Sequence, residues 1–160
     1  MKYIRRDGTG WDHGPYWSYI DAAKIQMPPH IGEFASNEEN HDLKNPNSLH
    51  DAWLESWNIV ELPAAAGSKK RVVRVEAKFL GPRHDRYIFL TYSGVSRYEM
   101  ECNEQTDNPY PHSHGDVLAH ELIMLSQDKF SHEIVFSTGA QFYIHFSNLD
   151  HMVEVFKSSI

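Results

Sequence analysis

"RVVRVEAKFL", residues 71–80, sets Val73, Val75, Ala77 and Phe79 against Arg74, Glu76 and Lys78. A period of two marks a strand with one buried and one wet face. Antiparallel sheets are the kind that leave one face in water. The stretch therefore predicts an antiparallel sheet, and its neighbours extend it. "GPRHD" (81–85) turns the chain. "RYIFLTYSGV" (86–95) has apolar or aromatic groups on both faces, which predicts a central strand with something packed on each side. "VSRYEMEC" (95–102) points to a third strand.

Downstream, "NEQTDNPYPHSHGD" (103–116) is polar and broken by proline, so it is read as a loop. "VLAHELIML" (117–125) is compatible with helix or strand. The hairpin spacing to "SQDKFS" and then "HEIVFST" favours a strand. After the "GA" turn, "QFYIHFS" alternates: Phe142, Ile144 and Phe146 point one way, Gln141, Tyr143 and His145 the other. "SNLDHMVEVF" (147–156) predicts a closing helix. Ser147 and Asp150 form a capping box, and Leu149, Met152, Val153 and Phe156 follow a helical stripe.

Upstream lies "NSLHDAWLESWNIVE" (47–61). Ser48 and Asp51 have capping-box spacing, and Leu49, Ala52, Trp53, Ser56 and Trp57 fall on one side of a short helix. "WNIVEL" then reads as a strand and "PAAAGSKK" as a loop. The adjacent His50 and Asp51 raise the question of catalysis. A structural role fits better: Asp51 suits a helix N-terminus, and His50 can donate a hydrogen bond that pins the helix to the sheet. Residues 1–47 read as irregular, with a short helix in "YWSYIDAAKIQM" (Trp17, Ile20, Ala22, Ala23) stopped by Pro28 and Pro29, then a surface loop in "ASNEENHDLKNPNS".

The expectation is an α+β protein: one antiparallel sheet of about six or seven strands with a few short helices. It forms a single domain over 1–160, in which an irregular and helical N-terminal segment (1–47) precedes a sheet flanked by an opening and a closing helix (48–160). No internal repeat is visible at a period of about 20–50 residues.

The bulk composition is that of a globular chain: 41% hydrophobic and 23% charged, with 8 Phe, 8 Tyr and 4 Trp to fill a core. A lone cysteine, Cys102, excludes an intramolecular disulfide and fits a reducing compartment. With no secretory signal and no apolar run long enough to span a bilayer, a cytoplasmic protein without a membrane partner is expected. The net charge of −7 is uneven, with basic residues across 69–86 and acidic residues across 96–133. An acidic surface repels phosphate backbones, so nucleic acid is not the expected partner. A basic protein is.

Few residues suggest chemistry. Among eleven histidines, His112, His114 and His120 are close in sequence, with Asp116 and Glu121 nearby. Imidazole with carboxylate suits zinc or iron, but the spacing matches no metalloenzyme template. Cys102 follows "EME", an acidic setting that disfavours a thiolate. No G-x-S-x-G elbow, Walker A loop or G-x-G-x-x-G turn is present.

Residues 27–100, with "SLHDAWLES" as their tag, resemble a group of small bacterial proteins of unassigned function that share an S-L-H-D-[AS]-x-L-x-S motif. In size, acidity and lack of catalytic motifs the chain also resembles the immunity proteins of bacterial toxin systems. That resemblance implies a non-catalytic protein-binding module without cofactor, an inhibitor that covers a basic toxin. The partner-binding candidates are Tyr98, Glu99, Glu101, Glu104, Asp107 and Tyr110, and the structural motif is Ser48, His50, Asp51 and Trp53. The alternative is a metal-dependent enzyme built on His112, His114 and His120.

Overall fold

A computed structural model describes residues 1–8, 10–102 and 113–156. A small hairpin pairs β1 (Arg5–Asp7) with β2 (Gly10–Asp12). Two α-helices follow, α1 (Gly14–Ala23) and α2 (Pro29–Ser36). Then come β3 (Trp53–Pro63), β4 (Arg71–Leu80), β5 (Arg86–Val95), β6 (Arg97–Glu101), β7 (Val117–Ser126), β8 (Lys129–Phe136), β9 (Gln141–Phe146) and β10 (Asn148–Val155).

The expected single sheet is corrected to three antiparallel sheets: the β1–β2 hairpin and two four-stranded sheets ordered β10-β5-β4-β3 and β6-β9-β8-β7. The reason is a swap. β3, β4 and β5 form a meander, but β6 leaves it and pairs with β9. β7, β8 and β9 form a second meander, and β10 returns to pair with β5. Each half is three strands plus a fourth strand lent to the other half. The repetition is topological and was invisible as sequence self-similarity. The two crossings lie together, where Ser147 N donates to Ser93 O (3.0 Å) and Ser96 N to His145 O (3.0 Å).

The strand alternation supplies the core. Val75, Ala77, Phe79, Ile88, Leu90 and Tyr92 line the inner face of one sheet, and Phe130, Ile134, Phe136, Phe142, Ile144 and Phe146 that of the other. Trp57 meets Phe142 (4.7 Å between ring centres) and Tyr92 meets Phe146 (5.1 Å) across the gap. α2 buries Ile31, Phe34 and Ala35 against this core. Pro28 and Pro29 do end the preceding helical stretch, but Pro29 also opens α2, because proline lacks only an N–H that the first turn leaves unpaired. No helix among the described residues is long and apolar enough to cross a membrane.

Two expected helices are strands. The closing segment is β10, in full register with β5 from Asn148↔Ser93 to Val155↔Arg86. Leu149, Met152, Val153 and Phe156 fit a helical stripe, yet only Leu149 is buried, with Met152 57% exposed. An unpaired β5 edge satisfies more backbone than an isolated short helix would. The "SLHDAWLESW" helix is a turn running into β3. Trp53 and Trp57 share a helical side in sequence, but a bulge between Leu54 and Ser56 changes the parity. Trp57 joins the core while Trp53 is 46% exposed, its indole N–H donating to Asp116. β5 does lie inside its sheet, although only alternate residues, Ile88, Leu90 and Tyr92, are buried.

Candidate functional site

Four polar groups lie in a row inside the apolar core. The inward parity of β8 that buries Phe130 and Ile134 also buries His132. The same parity of β5 buries Tyr92, and β7 buries His120. Tyr92 Oη lies 2.7 Å from His132 Nδ1, His132 Nε2 lies 3.0 Å from His120 Nδ1, and His120 Nε2 lies 3.0 Å from the Asn40 carbonyl oxygen.

This row fixes its own protons. A carbonyl only accepts, so His120 Nε2 carries hydrogen. A neutral His120 then accepts at Nδ1, so His132 donates from Nε2 and accepts at Nδ1 from the Tyr92 hydroxyl. The electrostatics agree. Burial lowers His120 from its usual 6.5 to about 4 and pushes His132 well below its ordinary value. Burial also raises the Tyr92 hydroxyl well above its own. No ring in the row is more than 2% exposed. A general acid or base must reach a substrate proton, and these groups face only one another. Their role is to fasten.

What they fasten is Asn40. Its carbonyl receives His120 Nε2, Ser48 Oγ (2.9 Å) and Leu49 N (3.2 Å), and its side-chain amide donates to Phe34 O (2.9 Å). The end of α2, the "SLHD" turn and β7 thus meet at one residue. Ser48 is fully buried and also accepts from His50 N (3.0 Å). His50 Nδ1 approaches Asp51 Oδ1 at 3.0 Å without hydrogen-bonding geometry. Asp51 itself adopts φ +63° and hands its N–H to Val117 O (2.9 Å). His41 stacks on His120 (4.0 Å, 10° between planes), and both its ring nitrogens are buried and unpartnered. Burial holds His41 far below the usual imidazole range, with His120 beside it adding to the effect.

The two described metal-site candidates, His114 and His120, sit in different surroundings. His120 is held by His132 and Asn40, whereas His114 packs against Phe136 (5.7 Å) and Phe142 (5.6 Å). His112 lies outside the described residues. Among the described residues no three His, Cys, Asp or Glu side chains gather in a metal-holding arrangement. Glu121 does other work: its carboxylate accepts from Lys2 N (2.6 Å), Tyr3 N (2.7 Å) and Ile4 N (2.6 Å), clamping the N-terminal segment onto β7.

Of the partner-binding candidates, Tyr98, Glu99 and Glu101 all fall on β6, an edge strand exposed along its whole length. Tyr98 pairs with Ile144 and Met100 with Phe142, so both face the core side of the sheet, yet each is 46% exposed. Glu99 points the other way, beside Tyr143, and accepts from Arg97 Nε at 2.9 Å. Glu104, Asp107 and Tyr110 lie outside the described residues. Cys102, next to β6, is exposed and free.

Asn40, His41, His132 and Tyr92 were not singled out from sequence. The signal available was parity: in "KFSHEIVF" His132 shares the side of Phe130 and Ile134, as Tyr92 shares that of Ile88 and Leu90. Comparison with protein-family models, curated proteins and solved structures returns no match.

Proposed function

We propose that this chain is a non-catalytic, cytoplasmic protein-binding module of the immunity type, which uses β6 and its surroundings to cover a basic partner such as a toxin domain. The observation that carries the reading is the state of β6. Soluble proteins usually blunt or cover an edge strand. Here all five residues from Arg97 to Glu101 are exposed, with Tyr98 and Met100 bare on one face and Glu99 and Glu101 on the other beside Arg97, which pairs with Glu99. Aromatic anchors beside carboxylates suit a basic protein: the charges speed and orient association, and the buried anchors slow dissociation. The sealed polar row supports the same reading, because the fold spends His120 and His132 on rigidity.

The test is calorimetric titration of the full chain with basic toxin domains encoded beside its gene. One of them is expected to bind, and the double change Tyr98→Ala with Glu99→Lys is expected to weaken it by about a hundredfold, about 3 kcal/mol. Absence of binding by every such domain, or equal binding by the variant, overturns the reading.

A further inference from the structure

Away from β6, a groove of about 380 Å³ opens between α1 and the turn that follows α2. Its walls are His13, Trp17 and His41, and its rim is Glu38, Glu39 and Asp42. The rings form a corner: His13 runs nearly parallel to Trp17 (19°), and His41 stands edge-on to both (76° and 87°). Among the described residues no lysine or arginine pairs with any of the three rim carboxylates, although the surface ion pairs elsewhere use Glu55, Glu61, Glu76, Asp85 and Glu99. His41 adds an independent sign, because both its ring nitrogens are shut off from solvent without a partner although the ring itself is only partly buried, an uncommon arrangement.

We infer that this groove is a guanidinium site, taking an arginine side chain of the partner against Trp17 and within the Glu38–Glu39–Asp42 rim. A guanidinium is planar and weakly hydrated, stacks on indole, and presents several N–H donors to carboxylates at once. A lysine ammonium is a strongly hydrated point charge that gains less from the ring corner. The inference deepens the proposed function and rests on it for the source of the arginine. The groove is distinct from β6, so each fails separately.

The experiment uses the full chain and small probes, read by two-dimensional NMR of the Trp17 indole and the His13 and His41 rings. Nα-acetyl-arginine methylamide is expected to shift these signals saturably in the millimolar range. The matching citrulline amide, which has the shape without the charge, is expected to bind at least about tenfold more weakly. Free arginine is expected to bind more weakly than the amide, since its charged α-ammonium and α-carboxylate must be partly stripped of water at the groove mouth where the amide presents only neutral groups. The double change Glu38→Gln with Glu39→Gln, at exposed positions, is expected to weaken the amide at least about fivefold while the remaining spectrum is preserved. Equal shifts from citrulline, or no saturable shift, overturns the site. Free arginine binding as tightly as the amide overturns the partner side chain as its source.

Discussion

His132 Nε2 donates to His120 Nδ1 across 3.0 Å in a layer where neither ring is more than 2% exposed. The pair holds as drawn only while His120 is neutral, since a proton added at His120 Nδ1 meets the His132 Nε2–H face to face, whereas a proton added at His132 Nδ1 sets a second donor against the Tyr92 hydroxyl. His120 titrates near 4 in the folded protein against 6.5 ordinarily, and burial lowers His132 and His41 as well. Between those values the unfolded chain binds more protons than the folded one, so stability rises with pH there. Stability is therefore expected to be full above about pH 6.5 and to fall steadily as pH drops toward 4. His120 alone accounts for a loss of about 3 kcal/mol over that window. Urea unfolding at several pH values measures it, and a flat profile from pH 7 to 4.5 contradicts it.

Tyr92→Phe keeps the ring and removes the hydroxyl that His132 Nδ1 accepts from at 2.7 Å. A buried acceptor left without a donor costs about 1–3 kcal/mol. The variant is expected to fold and to lose that much stability by denaturant titration. Nitrogen-15 shifts of His120 and His132 are expected to report Nε2–H tautomers in the native chain, and Nδ1–H at either ring contradicts the deduced row.

Much of this was legible beforehand. β4, β5, β7, β8 and β9 stand where alternation or hairpin spacing placed them, because a half-buried strand writes its period into the sequence. The division into sheets was not legible. Nothing local in Arg97–Glu101 or Asn148–Val155 records that each pairs across to the other meander. The Trp53–Trp57 and Leu149–Phe156 spacings satisfy a helix as well as a strand, and long-range pairing decided both. The polar row was hidden for a related reason. Tyr92, His132 and His120 sit at distant positions, and Asn40 takes part through its backbone carbonyl, which its side chain does not advertise.

Glu121 accepts three backbone N–H groups from Lys2, Tyr3 and Ile4 while only 3% exposed. Glu121→Gln replaces one acceptor oxygen with a donor and turns charge-assisted bonds into neutral ones. A loss of about 2–4 kcal/mol is expected, together with faster amide exchange at residues 2–4 and an otherwise preserved spectrum. Unchanged exchange there contradicts the clamp.

Gly94 sits at the strand crossing with φ +63°, where an added Cβ would meet Ser147 Oγ at 2.0 Å. Gly94→Ala combines a left-handed backbone with a clash against the start of β10, and about 2–4 kcal/mol of destabilisation is expected. Adding Ser147→Gly removes the side chain that clashes and is expected to recover part of the loss in thermal unfolding. A neutral Gly94→Ala contradicts this packing of the crossing.

Amide hydrogen exchange across Arg97–Glu101, with and without a saturating basic partner, tests most directly whether β6 is the recognition surface. These five amides are expected to slow by about tenfold or more in the complex, with a further ring of protection at Ile144 and Phe142 on β9. Formation of a stable complex with exchange along β6 unchanged contradicts β6 as that surface.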